Sequence, residues 1–374
     1  MLQKNISSKK ITFDDKHKKY NIFNSSQHSC LTRKEKTLNI YDYYYLIKRG
    51  KKFLNPFIKK SLNAGLKAMI GLTYRCQCDC YYCGSDIYDK NKPEFSLDNF
   101  KNVIKEISNL PYFFICVSFT GGEPLLREDI FELINFTRKQ GMLCEIESNG
   151  ILLNSKNVKR LKNAGLHHIF ISLDSINPAD HEKIKKHNAC YEKTTEGIKN
   201  CVQHNLSCSI STYASKRNIS TGEINRIINL GKKLKVRSVR ILPPVTIKGW
   251  NGRDNSEGLN KQEEAKLKSF LEPNFVYLES TKCNAPSAIK KCAFLDREFF
   301  YISPYGDIQP CPYFPVSFGN VARASLSEIL KSMWDQNIFS THNNTACLTN
   351  NLIIKEYFLK FNGRGLFPIN YKTL

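Results

Sequence analysis

The chain of 374 residues has no apolar stretch approaching the roughly 18 residues that a membrane span requires, which argues against a membrane-spanning protein. Its opening segment, MLQKNISSKKITFDDKHKKY, carries charge but no apolar core of the kind a secretory signal uses, so a cytoplasmic location is expected. Acidic residues are scarce. Asp and Glu number 34 against 56 Lys and Arg, for a formal net charge of +22. Such an excess suits an anionic partner such as nucleic acid, a nucleotide or an acidic leader peptide. Lys and Asn abound throughout, however, as in proteins of AT-rich genomes, so the charge by itself does not support a nucleic-acid partner. Basic residues are densest in the first sixty positions, in KKITFDDKHKK, RKEK, IKRGKK and IKK. A hydrophobic content of 41% with 24% charge fits a soluble globular protein, and the length suggests two or three structural units.

Without an export signal, the fourteen cysteines do not read as a disulfide framework, because the cytosol keeps thiols reduced. Their spacing is uneven. RCQCDCYYCG, residues 75 to 84, crowds Cys76, Cys78, Cys80 and Cys83 into one short loop. Cys283, Cys292, Cys311 and Cys347 spread over the C-terminal quarter. The remaining Cys30, Cys116, Cys144, Cys190, Cys201 and Cys208 stand singly and read as small buried hydrophobes.

Residues 1 to about 64 lack clear periodicity, although the aromatic IYDYYYLIK suits the start of a short helix. From Leu66 a rhythm begins. Six apolar segments, LKAMIGLTY, YFFICVSF, MLCEIES, HHIFISLD, SCSISTYA and VRSVRIL, read as strands. Between them SLDNFKNVIKEISNL (with Ser96 as N-cap), EDIFELINFTRKQG, NSKNVKRLKNAG, CYEKTTEGIKNCVQHN and STGEINRIINLGKKL read as helices. Strands alternating with helices predict an α/β fold with a parallel sheet and right-handed crossovers. Six units are too few for an eight-stranded barrel, so a partial barrel or an open sheet is expected, with ligands at the C-terminal ends of the strands. There lie the cysteine loop, TGGEP, SNG and SLDS, each after a successive strand. Beyond Pro243 and Pro244 the rhythm stops. A polar stretch with one helix, LNKQEEAKLKSFL, leads to REFFYIS and DIQPC, which flank PYG as a β-hairpin before a helix in SLSEILKSMW.

Cys76, Cys80 and Cys83 place three thiols on one loop, and thiolates prefer soft metals, zinc or iron–sulfur clusters among them. A closed zinc site needs four ligands, which Cys78 would have to complete. In an extended loop Cys78 should instead project away from its alternating neighbours. Three cysteines would leave one iron of a [4Fe–4S] cluster without a protein ligand.

CxxxCxxC after a first strand, followed by GGEP, SNG and SLD on the next three, resembles the radical S-adenosylmethionine (radical SAM) superfamily. That resemblance implies a partial (β/α)6 barrel. It also implies a [4Fe–4S] cluster on Cys76, Cys80 and Cys83, whose open iron binds SAM through its amino and carboxylate groups. An electron from the cluster then cleaves SAM to methionine and a 5′-deoxyadenosyl radical, which takes a hydrogen from substrate. Tyr82 is the aromatic residue typical before the third cysteine. Gly121, Gly122, Glu123 and Pro124 match the motif that holds the SAM amino group, through backbone and carboxylate. Ser172 and Asp174 fall where the family contacts the ribose and methionine portions, unless they only cap the next helix. Asn149 and Gly150 match the turn after the third strand.

The later cysteines resemble the first half of a SPASM domain, or the shorter twitch domain, which bind auxiliary [4Fe–4S] clusters. Carried over, the resemblance makes Cys283, Cys292, Cys311 and Cys347 ligands of one auxiliary cluster. No CxxC run follows Cys311, so ligands for a second auxiliary cluster are lacking. The implied organisation is a basic N-terminal extension (1–64), a radical SAM core (65–245), a connector (246–280), an auxiliary-cluster domain with a β-hairpin and helix (281–350) and a C-terminal tail (351–374). Modification of a ribosomally made peptide or protein side chain is the leading expectation. The absence of a clear three-helix, three-strand recognition domain weighs against it. Oxidation or cofactor chemistry on a small anionic substrate is the alternative, with Arg237, Arg240 and Lys248 as its anion contacts. A third reading is a cluster-bearing electron-transfer protein that never cleaves SAM. The enzyme readings imply an electron donor such as flavodoxin or ferredoxin.

Overall fold

A computed structural model of the chain describes residues 11–14, 19–22, 63–244, 259–279, 294–295, 297–336 and 367–373. A short antiparallel hairpin, β1 (Ile11–Asp14) with β2 (Lys19–Ile22), comes first. The expected strands follow as β3 (Asn63–Thr73), β4 (Tyr112–Gly121), β5 (Leu143–Ser148), β6 (His168–Ser172), β7 (Cys208–Tyr213) and β8 (Val239–Leu242). Each pairs in parallel with the one before it. Their crossovers contain helices α1 (Leu97–Asn109), α2 (Ile130–Lys139), α3 (Ser155–Asn163), α4 (Pro178–Lys185), α5 (Cys190–Gln203), α6 (Lys216–Ser220) and α7 (Glu223–Lys233).

Local chemistry explains these elements. Ser96 caps α1 by accepting from the Asn99 N–H while the Asn99 side chain accepts from the Ser96 N–H, and Phe100, Val103, Ile104 and Ile107 form its buried stripe. Helix α4 has no such stripe. Its buried residues are His181 and Lys185, so apolar periodicity gives no sign of it, although Asn177 caps it and Pro178 opens it.

The parallel strands do not end the sheet. Strand β9 (Val276–Leu278) adds in parallel to β8, and β10 (Phe299–Ile302) adds in parallel to β3 on the other edge. Strand β11 (Ile308–Gln309) pairs antiparallel with β10, giving a sheet of nine strands in the order β11-β10-β3-β4-β5-β6-β7-β8-β9. The expected hairpin is therefore present, and it continues the core sheet. Gly306, at φ +85°, makes its turn, and a Cβ there would lie 2.0 Å from the Phe95 ring. Helices α8 (Lys261–Ser269) and α9 (Leu326–Trp334) occur where the sequence predicts them, and Ser325 caps α9. Strand β12 (Val316–Ser317) pairs in parallel with β13 (Ile369–Asn370). Among the described residues no helix is long and apolar enough to cross a membrane.

Alternation along the strands divides the sheet into two faces. Ala68, Ile70, Leu72, Val117, Phe119, Ile146, Ile169 and Ile171 are buried and belong to the hydrophobic core. The opposite face carries charge. Lys67 pairs with Glu145 at 2.7 Å, and Arg240 pairs with Glu147 and with Glu279, the latter at 3.3 Å. The Phe170 ring lies between the two cations, 5.7 Å from Lys67 and 3.9 Å from Arg240. Cys116, Cys144, Cys190, Cys201 and Cys208 are all buried, as lone thiols are expected to be. Cys30 and the IYDYYYLIK segment lie outside the described residues.

Candidate functional site

The four motif segments follow β3, β4, β5 and β6, so a parallel sheet sets them side by side. Backbone bonds tie the first two together. Gly122 N–H donates to Thr73 O at 2.7 Å and Glu123 N–H to Arg75 O at 2.9 Å. The approach leaves no room for a side chain. A Cβ on Gly121 would lie 2.0 Å from Thr73 O, and one on Gly122 would lie 2.2 Å from Arg75 O.

Glu123 turns inward. Its carboxylate is fully buried and accepts from Leu125 N–H (3.0 Å), Asn149 N–H (2.8 Å) and Ser148 Oγ–H (3.0 Å). Burial raises its pKa to about 7 against the lowering effect of the Asn149 and Leu125 N–H groups. The carboxylate thus braces the GGEP segment against the SNG turn. Asn149 in turn faces the cysteine loop. Its Nδ2 lies 3.1 Å from Gln77 Oε1, 3.7 Å from Cys76 Sγ and 3.8 Å from Cys78 Sγ.

Ser172 and Asp174 meet at a residue that sequence reasoning missed. Lys185, at the last turn of α4, is 2% exposed. Its Nζ donates to Ser172 Oγ at 2.6 Å and Tyr82 Oη at 2.8 Å, and pairs with Asp174 at 2.7 Å. Three N–H donors meet three acceptors, which satisfies a buried ammonium. Asp174 also accepts from Tyr82 Oη–H and from Tyr213 N–H. Burial would push its carboxyl up, but the charges of Lys185 and His181 hold it below the usual carboxylate range. Neither Ser172 nor Asp174 caps the next helix, since Asn177 does so. The Tyr82 ring stacks on Tyr213 at 4.5 Å. The cysteine loop docks on the end of α4, with Asp79 N–H bonded to Lys185 O and Tyr81 N–H to Ile184 O. Nothing in ADHEKIKK marks Lys185 among its neighbouring lysines; only the fold selects it.

Cys78 corrects an expectation. It does not project away from Cys76: its N–H donates to Cys76 Sγ at 3.4 Å, and both sulfurs lie against the same Asn149 Nδ2, at 3.7 and 3.8 Å. The Cys78 thiol and N–H and then Asn149 and Lys185 lower Cys76 to about 6 against burial. Cys78 and Lys185 likewise lower Cys80. Burial raises Cys83, whose Sγ lies 3.0 Å from Ser85 Oγ.

These residues fit an iron–sulfur group with a polar ligand. Two thiols are poised toward thiolate beside a fixed cation. The Gln77 Nε2, buried in the loop, has no hydrogen-bond partner of its own.

Two of the three expected anion contacts, Arg237 and Arg240, are described. Arg240 is buried and held by Glu147, Glu279 and Ser211 Oγ (2.6 Å). Arg237 is exposed and precedes β8, toward the opposite end of the sheet from the motifs. Lys248 lies outside the described residues, as do Cys283, Cys292 and Cys347. Cys311 is described; it is half-buried after β11 and packs against the hydrophobic core.

Comparison with known proteins agrees with this geometry. The model of the radical SAM superfamily matches residues 70–230, and that of SPASM, an iron–sulfur cluster-binding domain, matches 292–349. The chain is 26% identical over 282 residues to an AdoMet-dependent heme synthase of Methanosarcina barkeri (strain Fusaro / DSM 804), covering 69% of this chain and 80% of that one. It is 26% identical over 286 residues to a PqqA peptide cyclase of Rhizobium meliloti (strain 1021), covering 72% and 74%. Among solved structures, Streptococcus suis SuiB bound to precursor peptide SuiA superposes with a TM-score of 0.59 at 14% identity, over 79% of this chain and 70% of that one. The fold and the cofactors follow: a SAM-binding [4Fe–4S] cluster, SAM and an auxiliary iron–sulfur cluster. The chain belongs to the radical SAM superfamily and carries a SPASM iron–sulfur domain toward its C-terminus.

Proposed function

We propose that this radical SAM enzyme modifies a side chain of a ribosomally made peptide or protein. Cys76, Cys80 and Cys83 hold the SAM-binding cluster, and Cys283, Cys292, Cys311 and Cys347 hold the auxiliary one. When bound, the SAM-binding cluster would supply the one electron that cleaves SAM, and the auxiliary cluster would accept an electron from the substrate or anchor a substrate group. The chain's own residues bind and orient. Gly121, Gly122 and Pro124 shape the backbone that faces the SAM amino group, and Glu123 locks that segment to the Asn149 turn. Ser172, Asp174 and Tyr82 present polar groups whose positions Lys185 holds. The electron donor is expected to be a flavodoxin or a ferredoxin.

The state of Arg240 carries the choice of substrate class. Its guanidinium is already neutralised by Glu147 and Glu279, so the residue most suited to receive a small anionic substrate is occupied. Relatives named as PqqA peptide cyclases support a peptide. The small-molecule reading keeps one support, the relatives named as AdoMet-dependent heme synthases.

Anaerobically reconstituted protein given dithionite and SAM should release 5′-deoxyadenosine. Cys76→Ala, Cys80→Ala and Cys83→Ala should abolish release, and Cys78→Ala should retain it. Iron should approach about eight atoms per chain, and about four would refute the two-cluster assignment. The peptide reading is tested with precursor peptides encoded beside the gene. A mass change in such a peptide that depends on SAM supports it, and turnover of a porphyrin or nucleotide with none of the peptides sinks it.

A further inference from the structure

The charged face of the sheet holds one carboxylate more than its cations match. Among the described residues there, Lys67 and Arg240 meet three carboxylates, Glu145, Glu147 and Glu279. Lys67 serves Glu145 at 2.7 Å and lies 4.0 Å from Glu147. Arg240 spends Nε on Ser211 Oγ and divides its other two nitrogens between Glu147 and Glu279. One guanidinium thus serves two carboxylates, and the surplus negative charge falls on that pair. Glu145 has 1% of its side chain exposed, whereas Glu147 and Glu279 each keep 20%. A carboxylate pair so far removed from water favours a further cation at its open side. A second, independent observation points to an incoming polar group. Ser118 pairs in register with Glu145, so it faces the same side of the sheet, while Val117 and Phe119 beside it belong to the hydrophobic core. Ser118 is fully buried, and its Oγ has no hydrogen-bond partner among the described residues. A hydroxyl left in that state costs free energy that a bound polar group would offset.

We propose that Glu147 and Glu279 form a specificity subsite that receives the cationic tip of a lysine or arginine side chain of the substrate peptide. The inference rests on the peptide reading of the proposed function and names the side chain such a peptide presents. Position supports it. Glu147 lies two residues before Asn149, about 7 Å deeper along β5 than the turn that faces the cysteine loop. Glu279 N–H donates to Ile241 O at 2.8 Å, which ties it to β8 beside Arg240. Lysine and arginine carry their charge at the end of a long apolar stem, so a side chain entering from the motif end places its tip at that depth. An acidic side chain has no comparable partner here, because Arg240 is already paired.

The test is calorimetric binding of the precursor peptide encoded beside the gene to reconstituted, SAM-loaded protein, with mass spectrometry of its SAM-dependent modification. Each lysine and arginine of the peptide is replaced in turn by methionine. Every peptide is then measured against wild type, Glu279→Gln and Glu279→Asp. Glutamine at this position leaves Arg240 paired with Glu147 and Ser211, so the guanidinium stays neutralised. At one peptide position methionine should weaken binding to wild type by about tenfold or more, and Glu279→Gln should weaken the parent peptide by a similar factor. The two changes together should stay within about twofold of either alone, because both remove the same pair. Glu279→Asp, which restores the charge, should keep most of the affinity. Losses that multiply independently, an aspartate variant as weak as the glutamine one, or a peptide with no sensitive lysine or arginine would each overturn the subsite. A parent peptide that wild type neither binds nor alters would instead defeat the peptide reading on which the inference rests.

Discussion

Replacing Lys185 by methionine tests the central hub of the site. The substitution keeps most of the apolar stem and removes the ammonium that pairs with Asp174 at 2.7 Å and bonds Ser172 and Tyr82. Asp174 is then a buried carboxylate without its cation, and breaking a buried pair from one side costs about 3–5 kcal/mol. Asp174→Asn should cost a similar amount by stranding the lysine. Removing both charges strands neither, so the double variant should lose at least about 2 kcal/mol less than the sum of the single variants. Urea unfolding of the four proteins measures that coupling. Dependence on pH gives a second readout. In wild type Asp174 is held below the usual carboxylate range, so its contribution is present above the unfolded pKa and lost only as pH falls through the lower folded value. Without Lys185 burial dominates and pushes the carboxyl up. The methionine variant should therefore gain stability relative to wild type as pH falls from about 8 to about 5. His181, held down to about 4 by burial and then by Lys185, will titrate upward in the same direction. Single variants that add to within about 0.5 kcal/mol, or a methionine variant with no gain on acidification, would refute the hub.

Glu123→Gln should cost about 1–3 kcal/mol, because an amide cannot accept from all three donors that the carboxylate satisfies. It should also remove a pH dependence. Burial raises Glu123 to about 7, so its contribution is full below its unfolded value of 4.5 and is lost as pH rises through about 7. Unfolding midpoints of wild type and variant across that window check both points. Gly122→Ala forces a Cβ toward Arg75 O, 2.2 Å away, and backbone cannot swing aside as a side chain can. A loss of about 1–3 kcal/mol is expected, with weaker SAM binding by calorimetry, and an alanine variant that binds SAM like wild type would refute the backbone-approach account.

The barrel strands were legible because each is an apolar run between helices with capping and periodicity of their own. The Ser96 cap and the stripe of Phe100, Val103, Ile104 and Ile107 are local features, and local features survive in one dimension. Spacing alone likewise placed the cysteine loop, GGEP, SNG and SLD at the ends of successive strands. Strands β9 and β10 were harder to place, since a short apolar segment does not say which edge it will join. Helix α4 was invisible for a different reason. It buries a histidine and a lysine, and periodicity counts only apolar residues.

The sequence by itself determined the fold class and the order of the motifs, because each depends on residue type at short spacing, and the kind of chemistry followed from the resemblance those motifs carry. Tertiary structure alone decided which charges meet. Lys185 reaches Tyr82 across 103 positions of sequence, and Arg240 reaches Glu147 across 93. It also decided that Arg240 is neutralised, that the Glu123 carboxylate faces the Asn149 turn, and that the Cys76 and Cys78 sulfurs lie against one Asn149 amide. Such pairings depend on strand register and loop curvature, and the cost of burying a charge without a partner holds them in place.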